Sequence, residues 1–158
     1  MSASRRLIDL DHNATTRPSP EVIEAVARTM RDAYANPGSR HAAGRVARNA
    51  LESARETTAR ILDAEPEEVI FTSGGTEASN LALFGFATGS NGTIALPPAE
   101  HPATEETARV LQLRGWQRTV LPVDTEGRFV QDALPGLPWE GIRLATCLLA
   151  HNETGVIQ

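Results

Sequence analysis

The stretch FTSGGTEASN, residues 71–80, constrains the fold more than any other part of this chain. It lies between a short apolar run, Val69 to Phe71, and an Ala/Leu-rich run that ends near Phe86. This order predicts a strand, a glycine turn and a helix. Glycines let the backbone approach a ligand closely, and the first amides of a helix point at whatever anion lies there, so the turn suits a phosphate.

The same ten residues also fit a plain turn followed by a capped helix. Ser73 and Thr76 offer hydroxyl donors to a phosphate, whereas Glu77, three residues after Gly74, is equally suited to capping the helix. The decapeptide alone leaves both interpretations open.

The charges argue against nucleic acid as a partner. Residues 1–62 carry ten arginines and seven acidic residues, and residues 63–158 carry five arginines and thirteen acidic residues. The arginines alternate with carboxylates along predicted helices, which is typical of a solvated face. All fifteen Lys and Arg residues are arginine, so the chain contains no lysine.

No run of about 18 apolar residues occurs, and no apolar segment follows Met1, so we expect no membrane span and a cytoplasmic location. The single cysteine, Cys147, excludes an internal disulfide, and no Cys/His set has zinc spacing, so we expect no metal site. Because Cys147 falls inside an apolar run, we expect it to be a small buried hydrophobe and not a nucleophile.

Hydrophobic spacing and turn residues predict alternating helices and strands along a chain that has the length of one domain. The expected helices run from Ser19 and Pro20 to about Ala35, from Val46 to near Asp63, from the glycine turn to Phe86, from Glu105 to Arg114, and briefly from Val130; the expected strands are Val69 to Phe71, Thr93 to Leu96, Gln117 to Pro122 and Ile142 to Ala150; residues 1–8 form an unstructured start and Gly89 to Gly92 a flexible connection.

Strands that alternate with helices predict a parallel or mostly parallel sheet. The loops at 73–76, 97–104 and 151–155 each follow a predicted strand, so we expect all three at one edge of the sheet, where such folds bind ligands. The near-continuous apolar run at 142–150 is typical of a strand that is covered on both faces.

Two polar residues in these loops are candidates for function. His101 leaves a predicted strand beside Glu100, and Asn152 follows the apolar run. A lone histidine is more often a surface or structural residue, and an asparagine after a strand is often a turn former. His12, His41 and His151 lack metal spacing, and we interpret them as structural or peripheral.

Five motifs, taken in order and spacing, resemble the N-terminal part of pyridoxal-phosphate-dependent cysteine desulfurases of the NifS type, within the class V aminotransferases. The resemblance covers essentially the whole chain, although the family more often has Asn where this chain has His12 and His151. The motifs are DHNATT at 11–16, NPGSRHAAGR at 36–45, FTSGGTEASNLAL at 71–83, EHPA at 100–103 and HNETGVIQ at 151–158.

The resemblance implies an α/β fold that is an incomplete part of the large domain of a fold type I transferase, with a mostly parallel sheet and flanking helices. Residues 1–15 would be an extended segment and 16–158 the N-terminal part of that domain. Pyridoxal 5'-phosphate would be the cofactor, with its phosphate at Gly75 and Thr76. The resemblance also implies that His101 stacks on the pyridine ring and moves protons, and that Asn152 lies beside the ring hydroxyl.

The activity implied is conversion of L-cysteine to L-alanine, with sulfur passed to an acceptor protein as in iron–sulfur cluster assembly, by a homodimer. The family's Schiff-base lysine, aspartate, cysteine loop and carboxylate-binding arginine all match positions beyond Gln158, so we expect this chain alone to be inactive.

The resemblance also implies that, in the family's seven-stranded sheet, strands from later in the sequence flank the run at Ile142.

Three alternatives remain open: another class V enzyme such as selenocysteine lyase, a split enzyme whose second polypeptide brings the lysine, and a non-catalytic interaction module.

Overall fold

The computed structural model describes residues 8–12, 14–88 and 91–158. The predicted start at 1–8, apart from Ile8, lies outside the described residues, as do Gly89 and Ser90 of the predicted connection. The chain divides into two compact units, Met1–Phe71 and Thr72–Gln158.

The N-terminal unit contains helices α1, Pro20–Asp32, and α2, Ala42–Leu62. Ser19 caps α1, because its hydroxyl accepts a hydrogen bond from the Val22 amide at 3.4 Å, and proline occupies the first helical turn. The Nδ1 atom of His41 caps α2 by accepting from the Gly44 amide at 3.2 Å. Both predicted helices are confirmed, and the role of His41 as a cap agrees with its structural interpretation.

The strand predicted at Val69 to Phe71 is wrong. A short 3₁₀ helix, Pro66–Glu68, precedes this segment, and Val69 has extended backbone angles, φ −91° and ψ 118°, without belonging to a strand. The Val69 carbonyl accepts a hydrogen bond from Arg55 of α2, and the Arg55 guanidinium lies 5.2 Å from the centre of the Phe71 ring. The apolar run therefore packs along α2 through Arg55.

The C-terminal unit contains the sheet. Its elements are α3, Gly75–Phe86; β1, Thr93–Leu96; α4, Pro102–Leu113; β2, Gln117–Val120; the 3₁₀ segments Gln131–Gly136 and Trp139–Gly141; and β3, Ile142–Ala145. The strand order is β2-β1-β3, and both neighbours pair with β1 in parallel. The predicted α/β class with a parallel sheet and flanking helices is confirmed.

The core of this unit forms where α3 and α4 cover the central strand. Ile94 and Leu96 of β1 have no exposed surface, because β1 has a neighbour on each edge. Six buried residues form the core cluster: Leu83, Ile94, Leu96, Ala108, Leu111 and Trp116. Helix α4 begins three residues earlier than predicted, with His101 as its cap and Pro102 in the first position.

The prediction of a doubly covered strand from Ile142 to Ala150 is wrong in two respects. β3 ends at Ala145, and along it half-buried residues alternate with exposed residues. The Thr146 amide still donates to the Ala95 carbonyl of β1 at 3.0 Å. The Leu148 amide donates instead to the Glu100 side chain, at Oε1 and 2.7 Å, so the backbone pairing with β1 does not continue. Cys147 is consequently exposed and not buried as predicted. Among the described residues, no helix has the length and apolar character needed to span a membrane.

Candidate functional site

The start of α3 presents unpaired helical amides to an open space. The Ala78 amide donates to the Gly74 carbonyl at 3.1 Å, which begins the helical ladder, so the amides of Gly75, Thr76 and Glu77 have no acceptor within the helix. A Cβ atom placed on Gly74 or Gly75 would meet nothing within 4 Å. The turn thus combines exposed donors, the positive end of a helix dipole and room for an anion.

Glu77 folds back over the residue that precedes this turn. Its Oε2 atom accepts from the Ser73 amide at 2.6 Å and from the Ser73 hydroxyl at 2.5 Å. The Ser73 hydroxyl, followed by the Ser73 amide, holds the pKa of the Glu77 carboxyl below its usual value. The Ser73 hydroxyl therefore donates its hydrogen bond to Glu77, which leaves the Thr76 hydroxyl as the donor in this turn for a ligand.

Thr76, in the first turn of α3, and His101 line the same cleft between α3 and α4. This cleft has a volume of about 430 Å³, and its walls include Thr76 and Asn80 from α3 together with His101 and Thr107. His101 caps α4, since its Nδ1 atom accepts from the Ala103 amide at 3.1 Å. In the neutral imidazole the proton then resides on Nε2, which is the nitrogen left for a ligand.

A second cleft, of about 250 Å³, is lined by Glu100 and His151 among other residues. Glu100 is only 9% exposed and joins the loop after β1 to the loop after β3 through its bond to the Leu148 amide. Because Glu100 and His101 are consecutive, the two clefts share this segment. The carboxyl ends of β1 and β3 meet at one edge of the sheet, as predicted for the loops that follow them. The loop at 73–76 follows no strand, so the prediction that it shares this edge loses its basis.

Asn152 is exposed in the turn that follows β3, next to His151 of the second cleft. The Nδ1 atom of His151 accepts from the amides of Glu153 at 3.3 Å and Thr154 at 3.2 Å, so this histidine organises the turn. Of the four predicted site residues, Thr76 and His101 line one cleft and Gly75 adjoins Thr76. Asn152 lines neither cleft, although His151 and Glu153 on either side of it line the second one.

Cys147 lies near Glu100 but does not have the properties of an activated nucleophile. The pKa of the Cys147 thiol is raised above the usual value of cysteine. The larger cause is the loss of water around the thiol, and the smaller cause is the negative charge of Glu100. The residue is exposed as a whole, yet its thiol is disfavoured as a thiolate.

The donor set fits a phosphate ester that carries an aromatic ring. Backbone amides and the Thr76 hydroxyl suit the phosphate, and the His101 imidazole, in the same cleft, suits a planar ring. Within the described ranges, no group of three or more His, Cys, Asp or Glu residues is arranged to hold a metal ion.

Sequence reasoning missed three residues of this region, namely Asn80, Glu100 and Thr107. Asn80 carried a usable signal, because a polar side chain stands there within an Ala/Leu-rich helix and four residues after Thr76. Glu100 and Thr107 carried no comparable signal, since their partners lie 48 and 27 residues away in the chain.

Comparison with known proteins gives one consistent picture. The sequence profile of the class V aminotransferases matches residues 8–158. Cysteine desulfurase IscS of Dictyoglomus turgidum is 39% identical over 157 residues, which cover 98% of this chain and 40% of that protein. Selenocysteine lyase of Xenopus tropicalis is 38% identical over 172 residues, which cover 95% of this chain and 39% of that protein.

A solved structure of a NifS-like protein superposes with a TM-score of 0.87 and 37% identity, over 93% of this chain and 41% of that one. The chain therefore spans about 40% of the length of the curated relatives it matches.

Proposed function

Because the chain belongs to the class V aminotransferase family, we propose that it supplies part of the pyridoxal-phosphate site of a cysteine desulfurase that converts L-cysteine to L-alanine. The observation that carries this proposal is that Thr76 and His101, which stand in different motifs, line one cleft between α3 and α4. The cysteine desulfurases among its relatives support the choice of reaction.

The first turn of α3 binds the cofactor phosphate in this proposal. The amides of Gly75 and Thr76 donate to phosphate oxygens, the Thr76 hydroxyl adds a charge-assisted hydrogen bond, and the helix dipole favours the negative charge. Glu77 leaves the phosphate position clear because its carboxylate is held on Ser73.

His101 contacts the pyridine ring and holds or moves a proton at Nε2, because Nδ1 is occupied by the Ala103 amide. Asn152 contributes a hydrogen bond to the ring hydroxyl from the neighbouring turn. Bound pyridoxal phosphate supplies an electron sink for the substrate amino acid, and the residues of this chain orient it.

The remaining parts of the proposal concern groups outside these 158 residues. The chain has no lysine, so the lysine that anchors the cofactor covalently must come from elsewhere in the complete assembly. We place the chain within a homodimer that passes sulfur to an acceptor protein, as the resemblance to cysteine desulfurases of the NifS type implies.

The activity is tested by mixing the purified chain with a polypeptide that corresponds to the unmatched part of the Dictyoglomus turgidum relative. We expect cofactor absorbance to be retained after gel filtration, and alanine to form from L-cysteine, only in the mixture. Product from L-selenocysteine but not from L-cysteine would instead favour a lyase, the second candidate, which the 38% identical selenocysteine lyase supports. Assembly without bound cofactor would favour an interaction module.

The phosphate site is tested with the chain alone and pyridoxine 5'-phosphate, which has no aldehyde and therefore needs no lysine. Thr76→Ala should weaken binding by about 1 to 2 kcal/mol, the worth of one hydrogen bond to a charged group. His101→Ala in the mixture should slow turnover far more than it weakens cofactor binding. Unchanged affinity in Thr76→Ala would remove Thr76 from the site.

A further inference from the structure

Hydrogen bonds connect the first turn of α3 to the first turns of α4. Asn80 Nδ2 donates to the Thr76 carbonyl at 2.8 Å. The Oδ1 atom of the same amide contacts the hydroxyl of Thr107, which lies on α4. Thr107 is 2% exposed and Asn80 is half-buried, so the contact is shielded from competing water.

The donors and acceptors fix the orientation of this pair. With Nδ2 at the Thr76 carbonyl, the Asn80 amide must direct Oδ1 at Thr107, since a flipped amide would place two carbonyl oxygens together. The Thr107 hydroxyl has one proton, which it shares between Asn80 Oδ1 and the Ala103 carbonyl at 2.8 Å in a three-centre hydrogen bond. The Ala103 amide in turn donates to Nδ1 of His101.

The pair occupies one end of an otherwise apolar contact between α3 and α4. Leu83 packs with Ala108 and Leu111 in the apolar core cluster, whereas Asn80 and Thr107 line the cleft together with Thr76 and His101. Apolar side chains would pack at this position too, but they would not fix one helix start relative to the other. A satisfied polar pair does so, because its hydrogen bonds form in one register only.

We infer that Asn80 and Thr107 are positioning residues for the cofactor site, which hold Thr76 and His101 at the separation that lets one ligand contact both. The inference rests on the proposed function, because it takes pyridoxal phosphate as that ligand. A ligand that reaches both contacts gains affinity only while their spacing is fixed, whereas a ligand that reaches one contact does not depend on the spacing.

Two probes separate these cases in the intact chain. Pyridoxine 5'-phosphate reaches both contacts, and inorganic phosphate reaches only the turn at Thr76. Thr107→Val, which keeps the shape but removes the hydroxyl, should weaken pyridoxine 5'-phosphate about three- to tenfold, the worth of one hydrogen bond, and inorganic phosphate less than about twofold. Thr107→Ser should keep the wild-type affinity, because it keeps the hydroxyl. Asn80→Ala should weaken pyridoxine 5'-phosphate binding as Thr107→Val does, and alanine is well tolerated inside a helix.

Thr58→Val is the matched control, because the Thr58 hydroxyl makes the same bond to the carbonyl four residues earlier, Ala54 O at 2.9 Å, but lies in the N-terminal unit. Its affinities for both probes should equal those of the wild type. Equal losses for both probes in Thr107→Val, or no loss for either, would overturn the inference. A wild-type chain that fails to bind pyridoxine 5'-phosphate would instead contradict the proposed cofactor site itself.

Discussion

The carboxylate of Glu77 is the charge nearest in sequence to the proposed phosphate position, and its contacts decide whether it opposes an anion. Two donors of Ser73 hold one carboxylate oxygen, so the negative charge is compensated on the side of the turn that precedes the helix. Thr72, the neighbouring hydroxyl, donates instead to the Gly74 carbonyl at 3.1 Å. The Ser73 hydroxyl thus binds the Glu77 carboxylate, whereas the Thr72 hydroxyl binds the backbone of the turn.

Ser73→Ala should raise the pKa of Glu77 toward its usual value, because it removes the Ser73 hydroxyl, the first cause of the lowered pKa, and leaves the Ser73 amide. A carboxyl whose folded pKa is lowered stabilises the fold above its usual pKa of about 4.5, and this contribution is lost as the pH falls through the folded pKa. Ser73→Ala should therefore flatten the loss of stability below about pH 4.5.

Carbon-13 NMR titration of the Glu77 side chain from about pH 2 to 7 measures the change directly. Thr72→Val is the control, since the Thr72 hydroxyl serves Gly74 and not Glu77. An identical Glu77 titration in Ser73→Ala and wild type would contradict the assigned cause.

Single residues also mark where sequence reasoning reaches its limit at the site. Thr76 and His101 could be selected because each stands in a local motif after an apolar run. Asn80 offered a local signal as a polar residue in an Ala/Leu-rich helix, but its contact with Thr107 could not be predicted, because that contact depends on how two helices pack. The prediction that Cys147 is buried failed for a related reason. An apolar run shows the composition of a strand, but it does not show whether that strand lies at the edge of the sheet.

Among the elements, the start of β1 depends on a glycine with no room for a side chain. The Gly92 carbonyl accepts from the Gln117 amide at 2.8 Å, which begins the pairing with β2. A Cβ atom at Gly92 would lie 2.7 Å from ring atoms of Trp116, which is itself buried. The indole therefore packs directly on the backbone of this strand.

Gly92→Ala should lower the free energy of unfolding of the C-terminal unit by about 1 to 3 kcal/mol, because the Trp116 ring must shift within a packed core. Gly85→Ala is the matched control: Gly85 lies inside α3, and a Cβ atom there would meet nothing within 4 Å, so alanine should be neutral or stabilising by up to about 1 kcal/mol. Urea unfolding followed by tryptophan fluorescence measures both, since Trp116 and Trp139 both lie in this unit. Equal stabilities would contradict the close packing at Gly92.

The elements themselves were predictable to the extent that their signals were local. Ser19 with Pro20 and the periodic spacing of α2 predicted both helices of the N-terminal unit. The run at Val69 to Phe71 does not form a strand, because a strand needs a pairing partner elsewhere in the chain. The Val69 carbonyl instead accepts a hydrogen bond from Arg55. The division of the chain at Phe71 and Thr72 had no local signal.

At the scale of the whole molecule, apolar side chains remain exposed in both units. On α1, Val22, Ile23 and Val26 are 52 to 54% exposed and Met30 is 72% exposed, although their spacing predicts a buried stripe. In the C-terminal unit, β3 pairs with β1 on one side only among the described residues. Such surfaces are those that further polypeptide covers in a larger fold.

One amide at the outer edge of β3 tests whether further polypeptide pairs with this strand. The Thr146 amide bonds to the Ala95 carbonyl, so by the alternation of a strand the Ala145 amide points to the opposite edge. If the polypeptide that completes the sheet pairs there, the Ala145 amide should exchange with solvent at least about tenfold more slowly in the mixture with the complementary part of the relative than in the chain alone. The Thr146 amide, already bonded, is the internal control and should change much less. Slowing at Thr146 and Ala145 alike would indicate general stabilisation, whereas no slowing at Ala145 would contradict strand pairing at the outer edge of β3.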